Sequence, residues 1–112
     1  MMFEILMTEE ADSIFADLKK HAERALSKNL GKNPPPVGLF KQVKKTMCLL
    51  SQNPRHPGLH THEYSGLPNP WDAKQKVFEA YVQNRTPGAY RLFWCYGPEK
   101  NQITVITILK HP

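Results

Sequence analysis

Apolar and polar positions divide the chain into a helical first half and a strand-rich second half. Phe3 to Met7 is short and loosely alternating, which predicts an opening strand. Thr8 follows, and its hydroxyl can accept from a free backbone N–H while Glu9, Glu10 and Asp12 place negative charge at the positive end of a helix dipole. A helix is therefore predicted from this point. Its apolar residues Ile14, Phe15, Leu18, Ala22, Ala25 and Leu26 recur at steps of three and four, so they should face the core. Lys20, Arg24 and Lys28 form a basic row beside that stripe.

Asn29 to Gly38 carries three successive prolines and two glycines, which predicts a break of about ten residues. Leu39, Phe40, Val43, Met47 and Leu50 then restore helical period as far as Gln52, with Lys41, Lys44 and Lys45 on the other face. The two helices should pair as a hairpin on one face of a sheet. Asn53 to Gly58 ends the second helix, and the histidine-rich Leu59 to Leu67 reads as a loop with one short strand. Val77–Val82, Ala89–Tyr96 and Ile103–Leu109 are rich in β-branched and aromatic residues and are separated by Pro/Gly/Asn turns. The expected fold is α+β: two N-terminal helices forming a hairpin packed on a twisted, mainly antiparallel sheet of about four strands, in one domain spanning residues 1–112.

At 112 residues with 40% hydrophobic and 22% charged side chains, the composition is that of a folding chain and not of a disordered one. The formal charge of +5 favours polyanionic partners, nucleic acid first, although solubility alone can account for such a balance. No run of about 18 apolar residues and no apolar leader behind a basic start occurs, so no membrane partner or export is expected and the cytoplasm is the expected location. Cys48 and Cys95 have neither metal-like nor disulfide-framework spacing and are read as buried thiols of a reducing compartment.

His56, His60 and His62 fall within seven positions beside Arg55 and Glu63, and His111 closes the chain. A zinc site would need further ligands at suitable spacing, which are lacking, so no metal or other cofactor is expected. Cleavage of RNA through its own 2′-hydroxyl needs instead a base, an acid and cations, and imidazole suits both proton-transfer roles. Solvated loop histidines are the plain alternative. Arg91 interrupts the apolar run Tyr90-Arg91-Leu92-Phe93-Trp94, on the face opposite Tyr90, Leu92 and Trp94. A charge there is either paired with a carboxylate such as Glu79 or exposed on a concave face where a phosphate could sit. Among Tyr64, Tyr81, Tyr90, Tyr96, Trp71 and Trp94, one or two could carry an unstacked base; the others would be packing.

From Lys41 to Pro112 the order of features resembles the RelE/ParE superfamily of bacterial toxins. The features are a basic helix, the Asn53-Pro54-Arg55-His56-Pro57 turn with Leu59-His60-Thr61-His62, the Gly88–Trp94 strand, and a last strand ending Lys110-His111-Pro112. The proline-rich loop is longer than the family's pattern. The resemblance implies a metal-independent endoribonuclease that cleaves mRNA, on the ribosome in some relatives, and is held in check by a cognate antitoxin. It implies that Arg91 contacts the scissile phosphate and that His111 takes part in proton transfer. His60 and His62 stand where RelE-like members use lysines, so either could be the base. Lys41, Lys44, Lys45, Arg55 and Lys110 would hold RNA phosphates. The rival readings are a ParE-like toxin that poisons DNA gyrase and a catalytically inactive RNA-binding member.

Overall fold

A computed structural model describes residues 2–28, 34–84 and 88–110. Strand β1 (Glu4–Met7) leads into helix α1 (Glu9–Lys28), and helix α2 (Pro35–Gln52) follows. A single 3-10 turn (Pro57–Leu59) and four further strands complete the chain: β2 (His62–Glu63), β3 (Phe78–Tyr81), β4 (Tyr90–Tyr96) and β5 (Gln102–Lys110). Thr8 caps α1 as its sequence predicts, its hydroxyl accepting from the Ala11 N–H at 3.1 Å. Helix α2 begins inside the proline run, four residues before the predicted start, because Pro35 and Pro36 occupy first-turn positions whose N–H groups have no intrahelical partner. Gly38 is consequently a helix residue and not part of the break.

The sheet is five-stranded, in the order β1-β5-β4-β3-β2. Its antiparallel pairs β2–β3, β3–β4 and β4–β5 form the expected meander, with the two-residue β2 as the added edge. The opening strand pairs with the last one in parallel, bringing the two ends of the chain's regular structure side by side. Period-two alternation, shifted by one residue at a bulge in β5 between Val105 and Thr107, sends Ala80, Leu92, Trp94, Ile103, Val105 and Ile108 to one face, where they meet Ala11, Val43 and Leu50 of the helices and Leu59 of the 3-10 turn. Leu26 departs from the predicted stripe: it is 53% exposed at the C-terminal end of α1.

The opposite face carries Glu79, Tyr81, Arg91, Phe93, Cys95 and Thr104. Segment 64–76 lies across part of it. The Tyr64 ring packs 4.7 Å from that of Phe93, and the Trp71 indole N–H donates to Thr104 Oγ1 at 2.9 Å. Cys95 is buried there as expected, and loss of hydration pushes its thiol up to about 11. Cys48, by contrast, is exposed on α2. No helix among the described residues is long and apolar enough to cross a membrane.

Candidate active site

Strand register assembles the polar constellation. His62 is directly opposite Glu79, and Tyr81 is directly opposite Arg91. Residues two apart share a face, so Glu79 is the diagonal neighbour of Arg91. The contacts follow from that grid. His62 Nε2 lies 2.6 Å from Glu79 Oε1, Arg91 Nε lies 3.7 Å from Glu79 Oε2, and the guanidinium carbon sits 3.7 Å from the centre of the Tyr81 ring.

Of the two environments open to Arg91, the structure realises the ion pair with Glu79. Its guanidinium does not project into an open hollow: the residue is 8% exposed, and Nη1 donates to the carbonyls of Gln83 (2.6 Å) and Tyr90 (3.2 Å). The physical reason is the neighbourhood that β3 and its following turn supply, a carboxylate, an aromatic face and a carbonyl, which together satisfy a cation out of water. Arg91 thus holds Glu79 and Tyr81, and these in turn touch His62 and His60.

His62 is half exposed, yet both of its ring nitrogens face oxygens, Glu79 Oε1 and the His60 carbonyl at 3.0 Å. A neutral imidazole could donate to only one of them. His60 differs. It ends the 3-10 turn in the left-handed region (φ 49°, ψ 40°), a strained conformation for a residue with a β-carbon, and is exposed with its ring 4.9 Å from Tyr81. Buried Leu59 anchors this turn in the core, and Thr61 Oγ1 donates to the Pro54 carbonyl at 3.3 Å, closing the loop. His56 belongs to the same loop. Its Nδ1 accepts from the Gly58 N–H at 3.0 Å, so the ring proton of the neutral form is on Nε2.

These side chains surround a hollow of about 410 Å³. Arg55, His56, His60 and Thr61 form one wall, Phe78, Trp94 and Tyr96 the other, and no carboxylate lines it among the described residues. A second hollow on the same loop joins His56 and Tyr81 to Lys45 of α2. Lys41 and Lys44 are also exposed on that helix, and Lys44 reaches over the Phe40 ring at 5.5 Å. Lys110 belongs to a different depression, with His21, Leu39, Gln83 and Tyr90. His111 lies outside the described residues. In the sequence His56 stands in the histidine cluster without a role of its own, because an imidazole two residues before a glycine N–H is indistinct from an ordinary turn.

The fold and the site define a class: two helices on a mixed five-stranded sheet, with a histidine- and arginine-lined hollow beside an aromatic wall. No family model and no curated protein sequence matches the chain. Solved structures do share its fold. The YoeB dimer from Staphylococcus aureus superposes with a TM-score of 0.63 at 10% identity, covering 100% of both chains. The RelE–RelB complex from Pyrococcus horikoshii gives 0.58 at 9% identity over 98% of this chain and 96% of that one. The intact RelBE toxin–antitoxin complex from E. coli gives 0.55 at 17% identity over 98% of each. The chain has the two-helix, mixed-sheet fold of the RelE and YoeB toxins.

Proposed function

We propose that this protein is a toxin of a toxin–antitoxin pair that cleaves messenger RNA without a metal ion, at the hollow formed by Arg55, His56 and His60. The observation that carries the reading is the convergence of two imidazoles and one guanidinium on a single hollow with an aromatic wall and, among the described residues, no carboxylate. In this reaction the RNA's own 2′-oxygen attacks the adjacent phosphorus while its proton passes to a base. The P–O5′ bond breaks, and an acid protonates the departing 5′-oxygen, leaving a 2′,3′-cyclic phosphate and a 5′-hydroxyl.

His60 has its ring in the open and serves as the base. His56, held with a proton on Nε2, serves as acid. Arg55 supplies the fork of donors that the negative phosphorane requires, while Lys41, Lys44 and Lys45 hold flanking phosphates, and Lys110 takes a phosphate farther along the strand. His62, Glu79, Tyr81 and Arg91 position His60 from behind. The partner that restrains such an activity is a cognate antitoxin, as RelB accompanies RelE in the complexes that share this fold.

Controlled expression in a bacterial host tests the proposal. The expected result is growth arrest with rapid loss of messenger RNA and no DNA-damage response, abolished by His60→Gly. Arrest accompanied by DNA breaks, with intact messenger RNA and indifference to His60→Gly, would instead make the protein a gyrase poison of the ParE kind.

A further inference from the structure

The same hollow contains more than the proposed cleavage chemistry uses. Tyr96 stands at the end of β4, 45% exposed, and its ring is braced by three others: Trp94 at 5.0 Å and Phe3 and Phe78 at 5.9 Å. An aromatic ring that is held by its neighbours but left half uncovered is a ready stacking surface, since nothing must be ordered before a base lies on it. Opposite it, the polar groups are biased toward donation. Arg55 has five N–H donors and no acceptor, and His56 presents Nε2–H. Trp94, which also lines the hollow, has an indole N–H with no hydrogen-bond partner among the described residues although the side chain is 1% exposed.

We propose that this hollow selects the base beside the cut, stacking it on Tyr96 and favouring a base with a keto edge, guanine or uracil, over one with an amino edge, adenine or cytosine. The reason is hydrogen-bond complementarity. Keto oxygens accept from the Arg55 fork, whereas an exocyclic amino group would set donor against donor. The volume, about 410 Å³, is of the size that small-molecule sites commonly have and admits a base with its ribose. This inference rests on the ribonuclease reading and adds to it which residues set sequence preference: Tyr96 and Arg55.

The test is transcriptome-wide mapping of 5′-hydroxyl RNA ends in cells expressing the full chain, as wild type, Tyr96→Ala, Tyr96→Phe and Arg55→Lys. Wild type should show about a tenfold preference for guanine or uracil at one position flanking the cut, within the discrimination that a bidentate contact supplies. Arg55→Lys, an exposed position whose charge is kept but whose fork of donors is lost, should lower cutting overall and flatten that preference among the cuts that remain. Tyr96→Ala should lower cutting at preferred sites about tenfold, and Tyr96→Phe should restore it, because the stacking face returns. Wild-type cutting with no base preference, with adenine or cytosine preferred, or with an unchanged pattern in both Arg55→Lys and Tyr96→Ala overturns this inference and leaves the ribonuclease reading intact. A wild-type chain that creates no RNA ends removes the ribonuclease reading, and base selection falls with it.

Discussion

Glu79→Ala is the perturbation that most directly probes the buried cation at the centre of the sheet. In the folded chain the Glu79 carboxylate, almost fully buried, stands between His62 at 2.6 Å and Arg91 at 3.7 Å. Its removal leaves the guanidinium of Arg91 facing an empty site with little access to water. Breaking a buried pair from one side costs about 3–5 kcal/mol. The long Arg91–Glu79 distance, and the two carbonyls and the Tyr81 ring that also hold Arg91, place this case at about 3 kcal/mol, the lower end of that range. For 112 residues the unfolding entropy is about 0.24 kcal/mol/K, so the melting temperature should fall by about 12 °C. Thermal denaturation followed by circular dichroism measures this. Arg91→Met in the Glu79→Ala background should recover part of the loss, with a coupling of about 1–3 kcal/mol, since no orphaned charge then remains. A drop of less than about 3 °C, or strict additivity of the two substitutions, would refute the account of Arg91 as a cation held by Glu79.

Other consequences are sharper in sign than in size. His60→Gly should leave the melting temperature unchanged or raise it by a few degrees, because glycine adopts φ 49° freely, while abolishing RNA cleavage; a marked destabilisation would show that His60 is structural. Gly38→Ala should stabilise by about 0.5–1 kcal/mol in urea titration, since Gly38 is helical and an added β-carbon meets nothing within 4 Å. Native protein treated with a thiol reagent at pH 8 should label one cysteine, Cys48, with Cys95 reacting only after unfolding. The Cys95 thiol is raised in the folded chain from 9.0 to about 11, so its contribution to stability is complete below pH 9 and is lost as the pH rises toward 11. Cys95→Val should therefore show a shallower alkaline fall in melting temperature than wild type.

The strands and helices are legible because their periodicities are clean, but the Arg91–Glu79 pair is legible only as one of two environments, since alternation gives the face of each residue and not what closes over it. The depth of Arg91 was not legible. It depends on the Tyr81 ring and the Gln83 carbonyl closing around it, and strand pattern alone does not distinguish a half-open from a closed neighbourhood. The start of α2 was missed because proline is a breaker inside a helix but a tolerated residue in its first turn. Leu26 fits the apolar spacing but lies at the end of α1, where it is left exposed. The candidate site was visible as a cluster of histidines. Their division of labour was not, because it rests on backbone detail: the Gly58 N–H that orients His56, the His60 carbonyl that engages His62, and the left-handed turn that leaves the His60 ring in the open.

The central claim is that imidazoles around one hollow cut RNA by intramolecular transesterification, and product chemistry tests it most directly. Purified protein, alone and with programmed ribosomes, should convert end-labelled RNA to fragments bearing 2′,3′-cyclic phosphate and 5′-hydroxyl termini in the presence of a chelator, and His60→Gly should yield none. Intact RNA under both conditions, or cleavage that His60→Gly leaves at the wild-type rate, would contradict it.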